Sequence, residues 1–130
     1  MIDADLLLAE ARAAAGASYS PYSRFRVGAA VAAGGRVFRG CNVENASYGL
    51  AICAERSAVF AAVAAGERRI EAVAVACVDA APDGPAGALM PCGACLQVLR
   101  EFGDAAMAVH VDRAGSYALG ELLPRPFVLE

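Results

Sequence analysis

Two short cysteine motifs in this chain have the residue types and spacing of a metal-dependent hydrolytic centre. Cys53 and Glu55 are two residues apart, and Cys92 and Cys95 are three apart behind Pro91. Thiolates are good zinc ligands, and a C-x-x-C pair can direct two of them to one ion. Alone, Cys92-Gly93-Ala94-Cys95 is also compatible with redox chemistry, although Pro91 and the loop before it do not make a thioredoxin-like setting. Cys53 and Cys92 both fall where helices are predicted to begin, and a helix N-terminus favours the negative charge of a thiolate. Three thiolates around a tetrahedral ion leave one position for water, whose pKa zinc lowers toward ~7. Glu55 is then the residue to take a proton from that water and return it to a leaving group. Its plainer role is a helix-start carboxylate that complements the dipole.

Arg56 follows Glu55 and stands one helical step from Cys53. Three thiolates donate enough charge to blunt the acidity of a zinc-held water. A guanidinium donating to the sulfurs would restore it; the alternative is a solvated surface arginine. Two cysteines are spare. Cys77 ends an apolar run and reads as a core residue. Cys41 is either another such residue or a fourth ligand, which would close the site and make it structural. The single histidine, His110, lies in a predicted strand and is read as a structural residue.

The elements that must position these residues follow from periodicity. Residues 3–16 carry Leu6, Leu7, Ala9, Ala13 and Ala14 at helical spacing, with Asp3 as N-cap. Arg26 to Ala33 and Arg36 to Gly40 form a predicted hairpin around Gly34-Gly35. Asn42 to Gly49 is a polar loop of the kind that carries function. A helix is predicted over 51–65, a buried strand over 70–78, a loop over 79–89 and a second helix over 93–102. A strand over 105–111, an edge strand over 116–119 and a helical turn over 119–123 complete the order. An opening helix and hairpin followed by alternating helices and strands predict an α/β fold, a three-layer α/β/α sandwich around a mixed sheet.

Bulk properties narrow the classes. At 130 residues the chain, 1–130, reads as a single domain. Hydrophobic residues make up 58% and charged residues 19%, which excludes disorder and leaves apolar surface to bury between subunits. No apolar run reaches the ~18 residues of a membrane span, and the N-terminus is acidic where a signal peptide is basic. A cytoplasmic location is therefore expected, and five cysteines there point to metal or catalysis before disulfides. Net charge is −3, lysine is absent, and the eleven arginines form no stripe, so nucleic acid is not expected as a ligand.

With these residues in view, the chain resembles the small homotetrameric zinc-dependent cytidine deaminases of pyrimidine salvage. The likeness is carried by Gly40-Cys41-Asn42-Val43-Glu44-Asn45-Ala46-Ser47-Tyr48, by Cys53-Ala54-Glu55-Arg56 and by Pro91-Cys92-Gly93-Ala94-Cys95. Tyr22-Ser23-Arg24-Phe25, Val27-Gly28-Ala29-Ala30 and Glu121-Leu122-Leu123-Pro124 extend it over nearly the whole length. It implies one zinc per subunit on Cys53, Cys92 and Cys95, with Glu55 as catalytic proton shuttle and Arg56 behind the ligands. It also implies that Asn42 and Glu44 bind the sugar hydroxyls, Phe25 packs on the nucleoside, and the Ala54 backbone bonds the base. Ala46, Tyr48 and Phe127 would reach a neighbouring subunit's site, making the tetramer part of the active site. Leu96 departs from the polar or positive residue that many relatives carry after the last ligand.

The implied reaction is hydrolytic deamination of cytidine and 2′-deoxycytidine to uridine and 2′-deoxyuridine with release of ammonia. A free nucleoside fits better than a nucleotide, because Glu44 near the sugar would repel a phosphate. Two other readings remain: a deaminase of a cytosine-bearing antibiotic such as blasticidin S, and a zinc-stabilised interaction module without catalysis. Editing of polynucleotides is disfavoured by the acidic balance.

Overall fold

The computed structural model describes residues 2–129. Helix α1 (Ala4–Ala14) starts where Asp3 accepts the Leu6 N–H at 2.8 Å, and it buries Leu7, Ala11 and Ala14 on one face. Strands β1 (Val27–Ala33) and β2 (Arg36–Cys41) form an antiparallel hairpin. Its turn places Gly34 and Gly35 at φ 59° and 76°, the left-handed pair that a two-residue hairpin loop requires.

Helix α2 (Ala54–Ala64), strand β3 (Ala72–Cys77), helix α3 (Gly93–Phe102) and strand β4 (Ala108–Val111) follow. Strand β5 (Gly115–Ala118) and the single turn α4 (Leu119–Leu122) complete the order. The sheet runs β2-β1-β3-β4-β5, with β3 and β4 parallel and the other neighbours antiparallel. This is the mixed sheet expected from the sequence.

Alternation along the strands divides the core into two layers. Ala29, Val31, Ala33, Val73, Val75, Val109 and Val111 belong to one cluster with Ala54, Ala58, Val59 and Ala62 of α2 and Leu96 and Leu99 of α3. Ala30, Ala32, Ala74 and Ala76 point the other way, onto Leu7 and Ala11 of α1. The result is α1 below the sheet, and α2 and α3 above it.

Local bonds move several boundaries from their predicted places. Ile52 exchanges both backbone hydrogen bonds with Val43 at 2.9 Å, which keeps it extended and delays α2 until Ala54. Ile70 donates to Phe102 and Glu71 to Ala32, so β3 starts at Ala72. Residues 104–107 are a turn in which Asp104 accepts the Ala106 N–H, so β4 starts at Ala108. The polar loop after β2 contains a short 3-10 turn, Tyr48–Leu50.

Two glycines set how closely the helices sit. A Cβ on Gly28 would collide with the backbone at Ala11 of α1 and at Ala15, its C-cap. One on Gly40 would collide with the α2 backbone at Ala54 and Ala58, beside the residues that begin the site. Gly40→Ala is therefore expected to cost about 3 kcal/mol through overpacking. Gly16→Ala, with nothing within 4 Å of the new methyl group, should change stability by less than about 1 kcal/mol. Urea denaturation of the two variants checks both; equal midpoints would contradict the close packing at Gly40.

Candidate metal centre and active-site cleft

Helices α2 and α3 aim their N-termini at one point. Cys53 is the N-cap of α2 and Cys92 the N-cap of α3, and Cys95 lies in the first turn of α3. Their sulfurs all lie within 4.8 Å of one another, with Cys53 to Cys92 at 3.9 Å and Cys92 to Cys95 at 3.5 Å. These distances are too long for a disulfide. Sulfurs at ~2.3 Å from a tetrahedral zinc stand ~3.8 Å apart, so the cluster has the spacing of a zinc cradle. Cys41 is outside this cluster, which is the only such group among the described residues, so three ligands leave a fourth position open. The closed-site alternative thereby loses its geometric basis.

The electrostatics also call for a cation. The Cys53 thiol is lowered to about 5, first by the Cys95 thiol and also by the Arg56 guanidinium and Cys92. Cys95 is pushed far up by its bond to the Cys53 sulfur and by burial. Cys53 ionises at the expense of Cys95, and a bound cation is what lets both do so. Arg56 donates to the Cys53 sulfur at 3.4 Å. It is a ligand-side donor and not a solvated surface arginine, while its Nε is buried without a partner. Leu96 is packed in the core cluster and brings no charge to the sulfurs.

Glu55, two residues past the Cys53 cap, is 5% exposed and is the only buried charged side chain among the described residues. Burial, and secondly the charge of Cys53, push its carboxyl up to about 7. A carboxyl poised near neutrality can both take and give a proton at physiological pH.

Both groups open on a cleft of about 200 Å³ lined by Phe25, Val27, Asn42, Cys53, Ala54, Glu55, Val75, Cys77, Ala88, Met90 and Cys92. Phe25, Asn42 and Ala54, all singled out in the sequence, are thus brought to the metal cluster and Glu55. Sequence reading missed Val27, Val75, Cys77, Ala88 and Met90 as lining residues. Val27 and Met90 adjoin singled-out segments, which was the available signal, whereas Cys77 read only as core.

Asn42 already serves the protein. Its Oδ1 accepts from the Val27 N–H at 2.9 Å and from the Ser18 hydroxyl, and its Nδ2 donates to the Phe25 carbonyl at 2.8 Å. One N–H remains free for a ligand. Glu44 lies in a neighbouring cavity of about 360 Å³ with Tyr22, Ser23, Asn45, Tyr48 and Ala51. Its carboxylate accepts the N–H groups of Tyr22 and Ser23 at 3.0 and 3.1 Å and the Ser23 hydroxyl, which holds it below its ordinary range. Three of about four acceptor sites are filled, leaving one.

Ala46, Tyr48 and Phe127 do not line the cleft of their own chain. All three are exposed, Tyr48 at 79% and Phe127 at 70%. Tyr48 rests edge-on against Tyr22, and the Phe127 carbonyl accepts from Gln97 at 2.9 Å. His110, as read from the sequence, is a strand residue, bonded to Ser116 at 2.7 Å.

Residues 1–111 match the family described as the cytidine and deoxycytidylate deaminase zinc-binding region. The cytidine deaminase of Mycobacterium tuberculosis H37Rv is 47% identical over 131 residues, covering 99% of this chain and 92% of that protein. The cytidine deaminase of Halalkalibacterium halodurans is 42% identical over 134 residues, covering 99% and 97%. Among solved structures, the Burkholderia pseudomallei cytidine deaminase superposes with a TM-score of 0.84 at 44% identity, covering 97% of this chain and all of that one. The Mycobacterium tuberculosis enzyme superposes at 0.85 with 42% identity, covering 99% and 100%. Cluster, fold and relatives agree: this chain belongs to the cytidine and deoxycytidylate deaminase zinc-binding family, and its three cysteines fit one zinc ion.

Proposed function

We propose that this chain is a single-domain cytidine deaminase that converts cytidine and 2′-deoxycytidine, with water, to uridine and 2′-deoxyuridine plus ammonia. The observation that carries the reading is one buried carboxyl, Glu55, beside three sulfurs at zinc spacing, with Glu55, Cys53 and Cys92 opening on one cleft. Bound zinc supplies a Lewis acid and acidifies a water toward neutral pH. Glu55 accepts the proton of the attacking water, passes it to the ring nitrogen beside the attacked carbon, and helps protonate the departing amine. Arg56 neutralises sulfur charge on the protein side. Phe25 packs against the nucleoside, and the Ala54 backbone hydrogen-bonds the base.

The free N–H on Asn42 and the free acceptor site on Glu44 suit a sugar hydroxyl, which both gives and receives a hydrogen bond. Ribose and 2′-deoxyribose share the 3′-hydroxyl, so this pair accommodates both substrates. The negative charge of Glu44 repels a phosphate, which favours the free nucleoside.

We further infer a cytoplasmic homotetramer in which Ala46, Tyr48 and Phe127 complete a neighbour's site. Its support is the exposed apolar side chains Tyr48, Leu50, Phe127, Val128 and Leu129, together with the absence among the described residues of any helix long and apolar enough to cross a membrane. Sedimentation equilibrium should return four chains. Subunits carrying Glu55→Gln and subunits carrying Phe127→Ala, each poorly active alone, should regain activity when refolded together. A stable monomer at micromolar concentration would refute the shared site.

The central test is turnover of cytidine by zinc-loaded protein, followed by ultraviolet absorbance. Glu55→Gln should keep its zinc and lose ~10²–10⁴-fold in kcat. Wild type that turns over blasticidin S and leaves both nucleosides untouched, or binds zinc with no activity, would overturn the proposal.

Glu55 also makes a stability prediction for the zinc-free chain. An unfolded glutamate loses its proton near 4.5, whereas the folded one keeps it to about 7. Stability therefore falls as pH rises between these values and stays reduced above them. In urea titrations, zinc-free Glu55→Gln should gain on wild type by about 3 kcal/mol at pH 8 relative to pH 4.

A further inference from the structure

Strands β1 and β3 part at the mouth of the cleft. Their last ladder pair is Val27 with Cys77, and both residues line the cleft. One step further out, Arg26 donates its N–H to a side chain, the Asp79 carboxylate, at 2.8 Å. The Arg26 guanidinium grips the same carboxylate through Nε at 2.9 Å and a terminal nitrogen at 2.7 Å. Asp79 thus prolongs the β1–β3 ladder by one rung made of side chain, and the residue it holds lies between Phe25 and Val27.

The turn carrying Asp79 is itself anchored. Ala80 donates to the Cys77 carbonyl at 3.1 Å. Arg113, from the β4–β5 turn, donates to the same carbonyl at 2.8 Å and to the Ala80 carbonyl at 3.3 Å. Among the described residues the other ion pairs are Arg12–Asp112, Arg36–Glu67, Arg39–Glu10 and Arg69–Asp104. Only in Arg26–Asp79 does the acid also accept its partner's own backbone N–H. An ion pair facing water adds little to stability, but a bidentate one fixes geometry.

We propose that Asp79 is a positioning residue for the nucleoside, holding the Phe25–Val27 wall against the end of β3 and so setting the width of the cleft. The inference rests on the nucleoside deaminase reading above. Asp79 is not among the residues lining the cleft, so it acts through Phe25. Cytidine is uncharged at neutral pH, so loss of the carboxylate cannot change its capture by long-range attraction.

Steady-state kinetics of zinc-loaded protein test this. Asp79→Ala should raise KM for cytidine about 10-fold, with kcat within about twofold and zinc content unchanged. Asp79→Asn, which keeps an acceptor for the Arg26 N–H and loses the charge, should raise KM by only about threefold. In a Phe25→Ala background, Asp79→Ala should add less than about twofold, because the residue it positions is gone. An unchanged KM in Asp79→Ala, or a rise undiminished in the Phe25→Ala background, overturns the proposal. If Asp79→Ala fails to fold, Asp79→Asn carries the same comparison, and an unchanged KM there overturns it equally. Failure of the wild type to deaminate either nucleoside would instead refute the functional reading, and this inference with it.

Discussion

Three thiol sulfurs share a space that they cannot all enter as anions unless a cation joins them. Everything around the site answers that constraint. Two helix N-termini bring positive dipole ends to the sulfurs, and Arg56 adds a full charge from the protein side. Glu55 must then sit close to negative sulfur while buried, and the same crowding that makes its ionisation costly gives it a proton to hold at neutral pH. Catalytic readiness and electrostatic discomfort have one source.

The layer packing is what allows two helix ends to converge. Alanines dominate the contact between the sheet and α1 and supply Ala54, Ala58 and Ala62 of α2, so backbones approach until glycine is required at positions 28 and 40. Gly40 lies opposite Ala54 and Ala58, so the seat of α2 is fixed within one turn of Cys53. The parallel step from β3 through α3 to β4 then delivers the second helix end at the edge of the cleft where β1 and β3 separate.

Much of this was legible in the sequence, and the illegible parts share a physical cause. The layered α/β order followed from periodicity, and the cluster of Cys53, Cys92 and Cys95 from residue type and spacing. Boundaries slipped where a long-range bond outweighed local propensity, as when the Val43–Ile52 bridge shortened α2. Cys77 has the pattern of a core strand residue, and only the third dimension shows that the strand end also faces the cleft. The Arg26–Asp79 rung was invisible for a similar reason, since two oppositely charged residues 53 apart give no sequence signal of contact. Asn42 and Glu44 were legible as polar groups, but not as groups already largely occupied by their own loop.

The alanine layers carry one further consequence. Alanine gives up no rotamer freedom when buried, so the contacts of the sheet with α1 and with the alanine face of α2 are assembled at low side-chain entropy cost, though each methyl group contributes little apolar burial. A core of this kind has an asymmetric mutational landscape. Exchange for glycine removes little volume, whereas almost any other exchange must push backbone apart. Drift in the sequence is thus channelled outward, to the solvent face and the loops, while the alanine contacts that seat α1 and α2 on the sheet stay nearly immutable.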